Sequence, residues 1–284
     1  MKGFGLSLIL FAGVLVNGQD LKKAEELYQH TDYIGSLNLL KTTKSPHAEA
    51  LGLMGRDHFM LGEYKQAVDC FQRAAALDPA KSEYQHWLGR TWGRRAETAS
   101  PFTAPMAASK ARQYFERAVQ LDPGNQEALN DLFDYYLQAP GILGGGLDKA
   151  TTVAKHIAEL DTAEGYFAQA QIADRRKEYD TAEQHLRRAM ELAPRQVGRV
   201  LDLAKYLAKH GRIQESEAVF QQAERIAPNS PKVMYTRAKT YIEERRNLDL
   251  AKSLLQRYIQ CSLTPEDPPR EEAQKLLKQV STGV

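Results

Sequence analysis

Four tripeptides ending in proline punctuate the chain: Leu77-Asp78-Pro79, Leu121-Asp122-Pro123, Leu192-Ala193-Pro194 and Ile226-Ala227-Pro228. From Pro194 to Pro228 the interval is 34 residues, and the residues inside it recur in phase elsewhere. With Pro79 at position 32 of a unit, Leu51 falls at 4, Met54 at 7, Gly55 at 8, Ala67 at 20, Phe71 at 24 and Ala74 at 27. The same classes return as Leu88, Gly89, Ala111, Phe115 and Ala118, then as Ala170, Ala182, Leu186 and Ala189. They return again as Leu203, Ala204, Leu207, Phe220 and Ala223, and more weakly as Ala238, Tyr241, Ala251 and Leu255. Small residues at positions 8 and 20 let two helices approach closely, while large ones at 4, 7, 24 and 27 fill the space around them. Proline after the second helix stops it. A unit of this size cannot bury its apolar face alone, so the pattern constrains the chain to a stack of helical hairpins.

In period and in these positions the sequence resembles the tetratricopeptide repeat superfamily. The resemblance implies an all-α fold, a right-handed α-solenoid of tetratricopeptide helical hairpins with a C-terminal capping helix, that works by binding another protein. The array is expected over residues 19–284. Within it, 19–47 is a degenerate hairpin carrying Ala24, Leu27, Tyr33, Ser36 and Leu40. Full units are expected at 48–81, 82–125, 126–162, 163–196, 197–230 and 231–263, the last with one extra residue near Asn247, and 264–284 forms the cap. No alternation of β type interrupts the pattern.

Two units are too long. Pro79 to Pro123 spans 44 residues, which places ten extra between the two helices of that hairpin, within Arg94 to Lys110. Ala111 to Ala150 spans 39, which places five extra in Ala139 to Lys149. Turns inside successive hairpins share one edge of a solenoid, so the two insertions are expected to be neighbours and to form a recognition edge through Phe102, Thr103, Gly144, Gly145, Gly146 and Lys149. The pairing of Ser100–Pro105 with Ala139–Lys149 resembles a group of exported bacterial proteins of the superfamily, a resemblance that carries no activity with it.

The first helix of each hairpin lines the inner groove in this family. That implies a partner-binding surface holding Arg56, His86, Arg90, Arg94, Asn130, Asp134, Gln171, Lys205, Tyr235 and Lys239. The mixture suits an extended peptide or protein segment, with Arg56, Arg90 and Arg94 expected as a basic stripe. Members that clamp a C-terminal carboxylate use lysine and asparagine at set groove positions. Here the corresponding residues are Gly52 and Arg56, so that clamp is not reproduced.

Catalytic chemistry finds no foothold. Gly141 to Gly146 has the glycine spacing of a phosphate loop, but Leu147 stands where lysine is required and the segment follows a helix, not a strand. It reads as a turn with Asp148 as helix cap, although amides at that helix start beside Lys149 could hold an anion. No two of the seven histidines lie four residues apart, so no helical metal pair exists. No catalytic residue, metal ligand or cofactor is expected. Trp87 and Trp92 read as packing residues.

Lysine and arginine total 38 against 36 acidic residues, so overall charge points to neither nucleic acid nor membrane. Hydrophobic residues at 43% are enough to build a core. The N-terminus places Lys2 before an apolar run from Phe4 to Val16 and a small residue at Gly18, the layout of a signal peptide over residues 1–18. Export, to the periplasm or beyond, follows as an expectation, with no stable membrane span once that segment is removed. An uncleaved anchor is the alternative, although the run is short for a span. Cys70 and Cys261 form no disulfide framework. Two readings remain open: an exported scaffold that recruits a protein through its groove, and a receptor for a small molecule or glycan at the insertion edge.

Overall fold

The computed structural model describes residues 18–42 and 46–282. Among the described residues there are fifteen α-helices, one short 3-10 turn and no strand. Nearly all of the segment expected to be a signal peptide lies outside the described residues; Gly18 opens the first helix. No helix among them is long and apolar enough to cross a membrane. The chain forms two compact units, one ending at Ala80 and the other starting at Lys81.

The first unit holds two hairpins: α1 (Gly18–Gln29) with α2 (Tyr33–Lys41), and α3 (Ala48–Met60) with α4 (Tyr64–Leu77). Ala24, Tyr28, Leu40, Ala50 and Leu53 form its core. The small residue at position 8 does what the pattern requires. A methyl group on Gly55 would lie 2.6 Å from the ring of fully buried Phe71, so only glycine lets α3 seat against that ring.

The second unit continues with α5 (Ser82–Thr98), α6 (Ala104–Leu121), α7 (Gln126–Gln138), α8 (Leu147–Leu160), α9 (Thr162–Arg175) and α10 (Tyr179–Leu192). Then come α11 (Val197–Lys209), α12 (Ile213–Ile226), α13 (Pro231–Glu243), α14 (Leu248–Ile259) and α15 (Arg270–Thr282). Partners pack in sequence order: α5 on α6, α7 on α8, α9 on α10, α11 on α12 and α13 on α14. The α11–α12 hairpin is the most completely enclosed, with Val200, Leu203, Ala204, Leu207, Phe220 and Ala223 at 0% exposure. Each such large side chain contributes about 2–3 kcal/mol on leaving water. The last helix, α15, packs on α13 and α14 as a cap: Ala273 is buried there, and Arg270 donates to the carbonyls of Ile259 and Cys261 at the end of α14. Both cysteines are free thiols, Cys70 buried and Cys261 half-buried.

Turns within hairpins follow the repeat as strictly as the cores do. In the regular hairpins three residues separate the helices, and the middle one is left-handed: Thr31, Gly62, Lys177 and Gly211. The amide after it donates to the carbonyl five residues earlier, as in Glu63 to His58 and Arg212 to Leu207. This is the left-handed closure that satisfies carbonyls left open at a helix end. In the sixth repeat the turn has four residues, and both Arg245 and Asn247 are left-handed.

The two insertions differ in kind, which the sequence reading did not anticipate. The ten residues expected between α5 and α6 are largely helix. α5 has 17 residues against 13 in α7, and α6 has 18 against 14 in α8. Since α5 begins, and α6 ends, where the repeat phase requires, the added turns lie at the tip. Four residues at 1.5 Å each make the tip stand about 6 Å beyond an ordinary hairpin. The reason is composition: Ala96, Ala104, Ala107 and Ala108 favour helix, and Pro105 sits in the first turn, where its missing N–H costs nothing. The five-residue insertion, in contrast, is a true loop, Ala139–Gly146, containing the 3-10 turn Gly141–Leu143.

Candidate functional site

First helices of successive hairpins in the second unit lie side by side, α7 near α9 and α11 near α13. Between them runs a trough of about 440 Å³. Leu137, Phe167, Ala170 and Leu186 supply its apolar floor, and Gln138, Gln171 and Tyr206 add polar edges. Phe167 is held in place: the Arg199 guanidinium lies 4.2 Å from its ring centroid, and Arg199 is itself pinned by Glu164 at 2.6 Å and Asp202 at 3.1 Å.

The end residues of four helices meet at this trough: Gln138 of α7, Arg175 of α9, Lys209 of α11 and Glu243 of α13. Helix C-termini carry partial negative charge. The trough also holds four carboxylates, Asp174, Asp202, Glu243 and Glu244, against three cations, Arg175, Lys205 and Lys209. Two of the cations are already spent, Lys205 on Asp202 at 2.9 Å and Lys209 on Asp174 at 2.9 Å. Behind the trough, burial pushes the Asp134 carboxyl from 3.8 up to about 6, and the neighbouring Asp131 and Glu164 add to the shift. Burial also raises the Glu164 carboxyl despite Arg199. Four carboxylates against three cations leave the trough one negative charge in excess, and Arg56, Arg90 and Arg94 do not line it.

Of the ten groove residues read from the sequence, Gln171 and Lys205 line the trough. The others do not line it. His86 is 2% exposed and bonds Asp131 at 2.7 Å through Nε2, so it is a core histidine and not a groove contact. Tyr235 is buried against Tyr258, and its hydroxyl meets Glu272 of the capping helix, which withdraws it from any partner. Arg56 pairs with Glu25 at 2.6 Å, Arg94 with Glu97 at 2.6 Å, and Arg90 lies over the Trp87 ring with Asp131 at 3.7 Å. These three arginines consequently present no bare basic stripe. Asn130 and Asp134 are half-buried on α7, and Lys239 reaches Glu243 at 4.0 Å. The missed residues Asp174, Arg175, Lys209 and Glu243 occupy positions 12 and 13 of their units. Arg94, which was read as a groove residue, stands at the same position 13, so the repeat phase had already marked these positions.

The insertion edge is ordered by internal bonds. Lys149 donates to the Gly144 carbonyl at 2.8 Å, Tyr135 donates to Leu143 at 2.8 Å, and the Gly146 amide donates to Tyr136. Gly144 and Gly146 take positive φ, and a methyl on Gly145 would lie 1.9 Å from the Ala139 carbonyl oxygen, so all three glycines serve loop geometry. Gly146, not Asp148, occupies the cap position of α8. The loop begins one residue after Gln138, so it borders the trough, and its other side rests on Arg112 of α6. Thr103 pairs with Ser100 in the turn at the tip, while Phe102 and Ile142 are both 94% exposed. Phe102 therefore plugs no gap between hairpins. Among the described residues no group of histidine, cysteine and acidic side chains is placed to hold a metal ion.

Comparison with known proteins agrees with this architecture. Tetratricopeptide repeat profiles match residues 48–81 and 175–239. A tetratricopeptide repeat protein from Parabacteroides merdae superposes with a TM-score of 0.60 at 15% identity, covering 93% of this chain and 98% of that one. A thermophilic tetratricopeptide repeat protein of Thermus thermophilus gives 0.55 at 20% identity, over 67% of this chain and 98% of its own. At these identities the likeness concerns the fold. Over 103 residues, 36% of this chain, the sequence is 36% identical to Superkiller complex protein 3 of Mus musculus; the match spans 6% of that protein's length. Repeat phase, hairpin packing and profile matches together establish that the chain belongs to the tetratricopeptide repeat superfamily and is built as a protein–protein interaction module.

Proposed function

We propose that the trough between α7, α9, α11 and α13 seats an extended segment of a partner protein, one that carries apolar side chains and at least one basic group. The observation that supports this most is the convergence of four helix C-termini above an apolar floor, where Lys205–Asp202 and Lys209–Asp174 pairing leaves Glu243 and Glu244 against Arg175 alone. An apolar anchor over Phe167 and Ala170 supplies affinity, and the negative rim selects the sign of the partner. Peptides matched in apolar content but basic, neutral or acidic in charge are to be titrated against the full chain by fluorescence anisotropy. The basic peptide should bind tightest, and Asp174→Lys should weaken it about tenfold. Equal binding of the three, or preference for the acidic one, ends this reading.

The same proposal places the protein outside the cytoplasm, as an exported adaptor. Its support is Lys2, the apolar run Phe4–Val16 and the small residue at Gly18. Intact mass of the exported protein should correspond to a chain starting at Gln19; retention of Met1–Gly18 counts against cleavage.

A further inference from the structure

Phe102 and Ile142, each 94% exposed, stand well above the next most exposed large apolar side chain, Ile34 at 61%. Both lie in segments the 34-residue unit does not need. Phe102 crowns the lengthened α5–α6 hairpin, Met106 beside it is 55% exposed, and the 3-10 turn that carries Ile142 packs against α6. Each insertion has cations behind it. Arg95 and Lys110 sandwich the Trp92 ring at 4.1 and 4.2 Å, and Lys149 caps a carbonyl of the second insertion. None of these three is paired with a carboxylate among the described residues, whereas Arg94 and Arg112 are, with Glu97 and Glu116.

We infer that this tip is a docking element for an anionic phospholipid surface. Side chains that stand out singly from a convex tip match no rigid partner of fixed shape, but a fluid interface closes around them. At 1.5 Å per residue, Arg95 lies about 5 Å behind the end of α5 and Lys110 about 9 Å behind the start of α6. That is the depth at which headgroup phosphates sit when an apolar side chain enters the acyl boundary. Stacking on Trp92 holds both cations without neutralising them. Phe102 and Met106 with Arg95 and Lys110 behind them give weak, reversible attachment. No residue of the α5–α6 tip lines the trough, so the inference does not depend on the reading given above.

The test uses the full chain carrying Phe102→Trp, read against the buried Trp87 and Trp92 of the unsubstituted protein. Vesicles of phosphatidylcholine, with or without phosphatidylglycerol, are added, and quenching by brominated lipid is measured. Because the reporter sits at the tip, attachment through the apolar N-terminal run does not mimic the signal. Expected are a blue shift and quenching with the anionic vesicles only, reduced by salt, and about tenfold weaker when Lys110→Glu is added. Phe102→Asp, at a fully solvated turn that cannot disturb the core, should lower sedimentation with anionic vesicles by a similar factor. Emission that stays solvent-like in anionic vesicles, shifts equally in neutral ones, or shifts only when a protein is added overturns the inference.

Discussion

Two glycines set the distance between helices within their hairpins. Besides Gly55 against Phe71, a methyl on Gly89 would stand 2.4 Å from the ring of Phe115. Gly89→Ala or Gly55→Ala should therefore cost about 1–3 kcal/mol in urea unfolding, and Phe71→Leu should recover part of the loss in the second case. Asp57 presents the opposite problem, a charge where none is wanted. It is fully buried; Ser36 donates to Oδ2 at 2.7 Å, while Oδ1 has no partner. Burial pushes its carboxyl from 3.8 to about 7, against the pull of Ser36 and Arg56 and with help from Glu25 and Asp32. The folded state thus keeps a proton that the unfolded chain has already released, so stability falls as pH rises from 3.8 to about 7 and levels off above. Asp57→Asn, which keeps an acceptor for Ser36, should remove that slope and exceed the parent by on the order of 2–4 kcal/mol above neutrality. Parallel stability–pH curves for the two proteins would show that Asp57 does not titrate in this way.

At the scale of elements, the turns tell where local chemistry and tertiary need disagree. Lys177 and Arg245 hold the left-handed position that Gly62 and Gly211 hold in their own hairpins, at φ of 64° and 50°. A side chain with Cβ is strained there, so Lys177→Gly or Arg245→Gly should raise stability by about 1 kcal/mol, and Gly211→Ala should lower it by a similar amount. Thermal melts of the three variants decide the matter; a loss on Lys177→Gly would show that its side chain contributes more than its backbone costs. The added length in the α5–α6 hairpin was visible in the sequence, yet its form was not. Spacing counts residues between landmarks and cannot say whether they continue a helix or leave it. Alanines around Ser100–Pro101 and Pro105 in a first-turn position were the available clue to helix. The α7–α8 hairpin, with three consecutive glycines, had no such option and became a loop.

Across the whole molecule, an array of hairpins predicts graded protection from hydrogen exchange. α11 and α12 are flanked by α10 on one side and α13 on the other, whereas α1, at one end of the described residues, packs on α2 and α3, and α15, at the other, on α13 and α14. Amides of α11 and α12 should exchange slowest and those of α1 and α15 fastest; uniform protection would mean that the hairpins do not open separately. The sequence by itself determined that the chain is a stack of helical hairpins, where their small and large contacts fall, and which units are overlong. Those features arise from neighbours within one repeat, and period is a local property. Only the tertiary structure decided which groove residues remain available and what sign they present. Arg199 with Glu164 and Lys209 with Asp174 are each joined across 35 residues, and His86 with Asp131 across 45. Pairing between adjacent hairpins depends on side-chain direction across a packed interface, which a repeat pattern read along the chain does not carry.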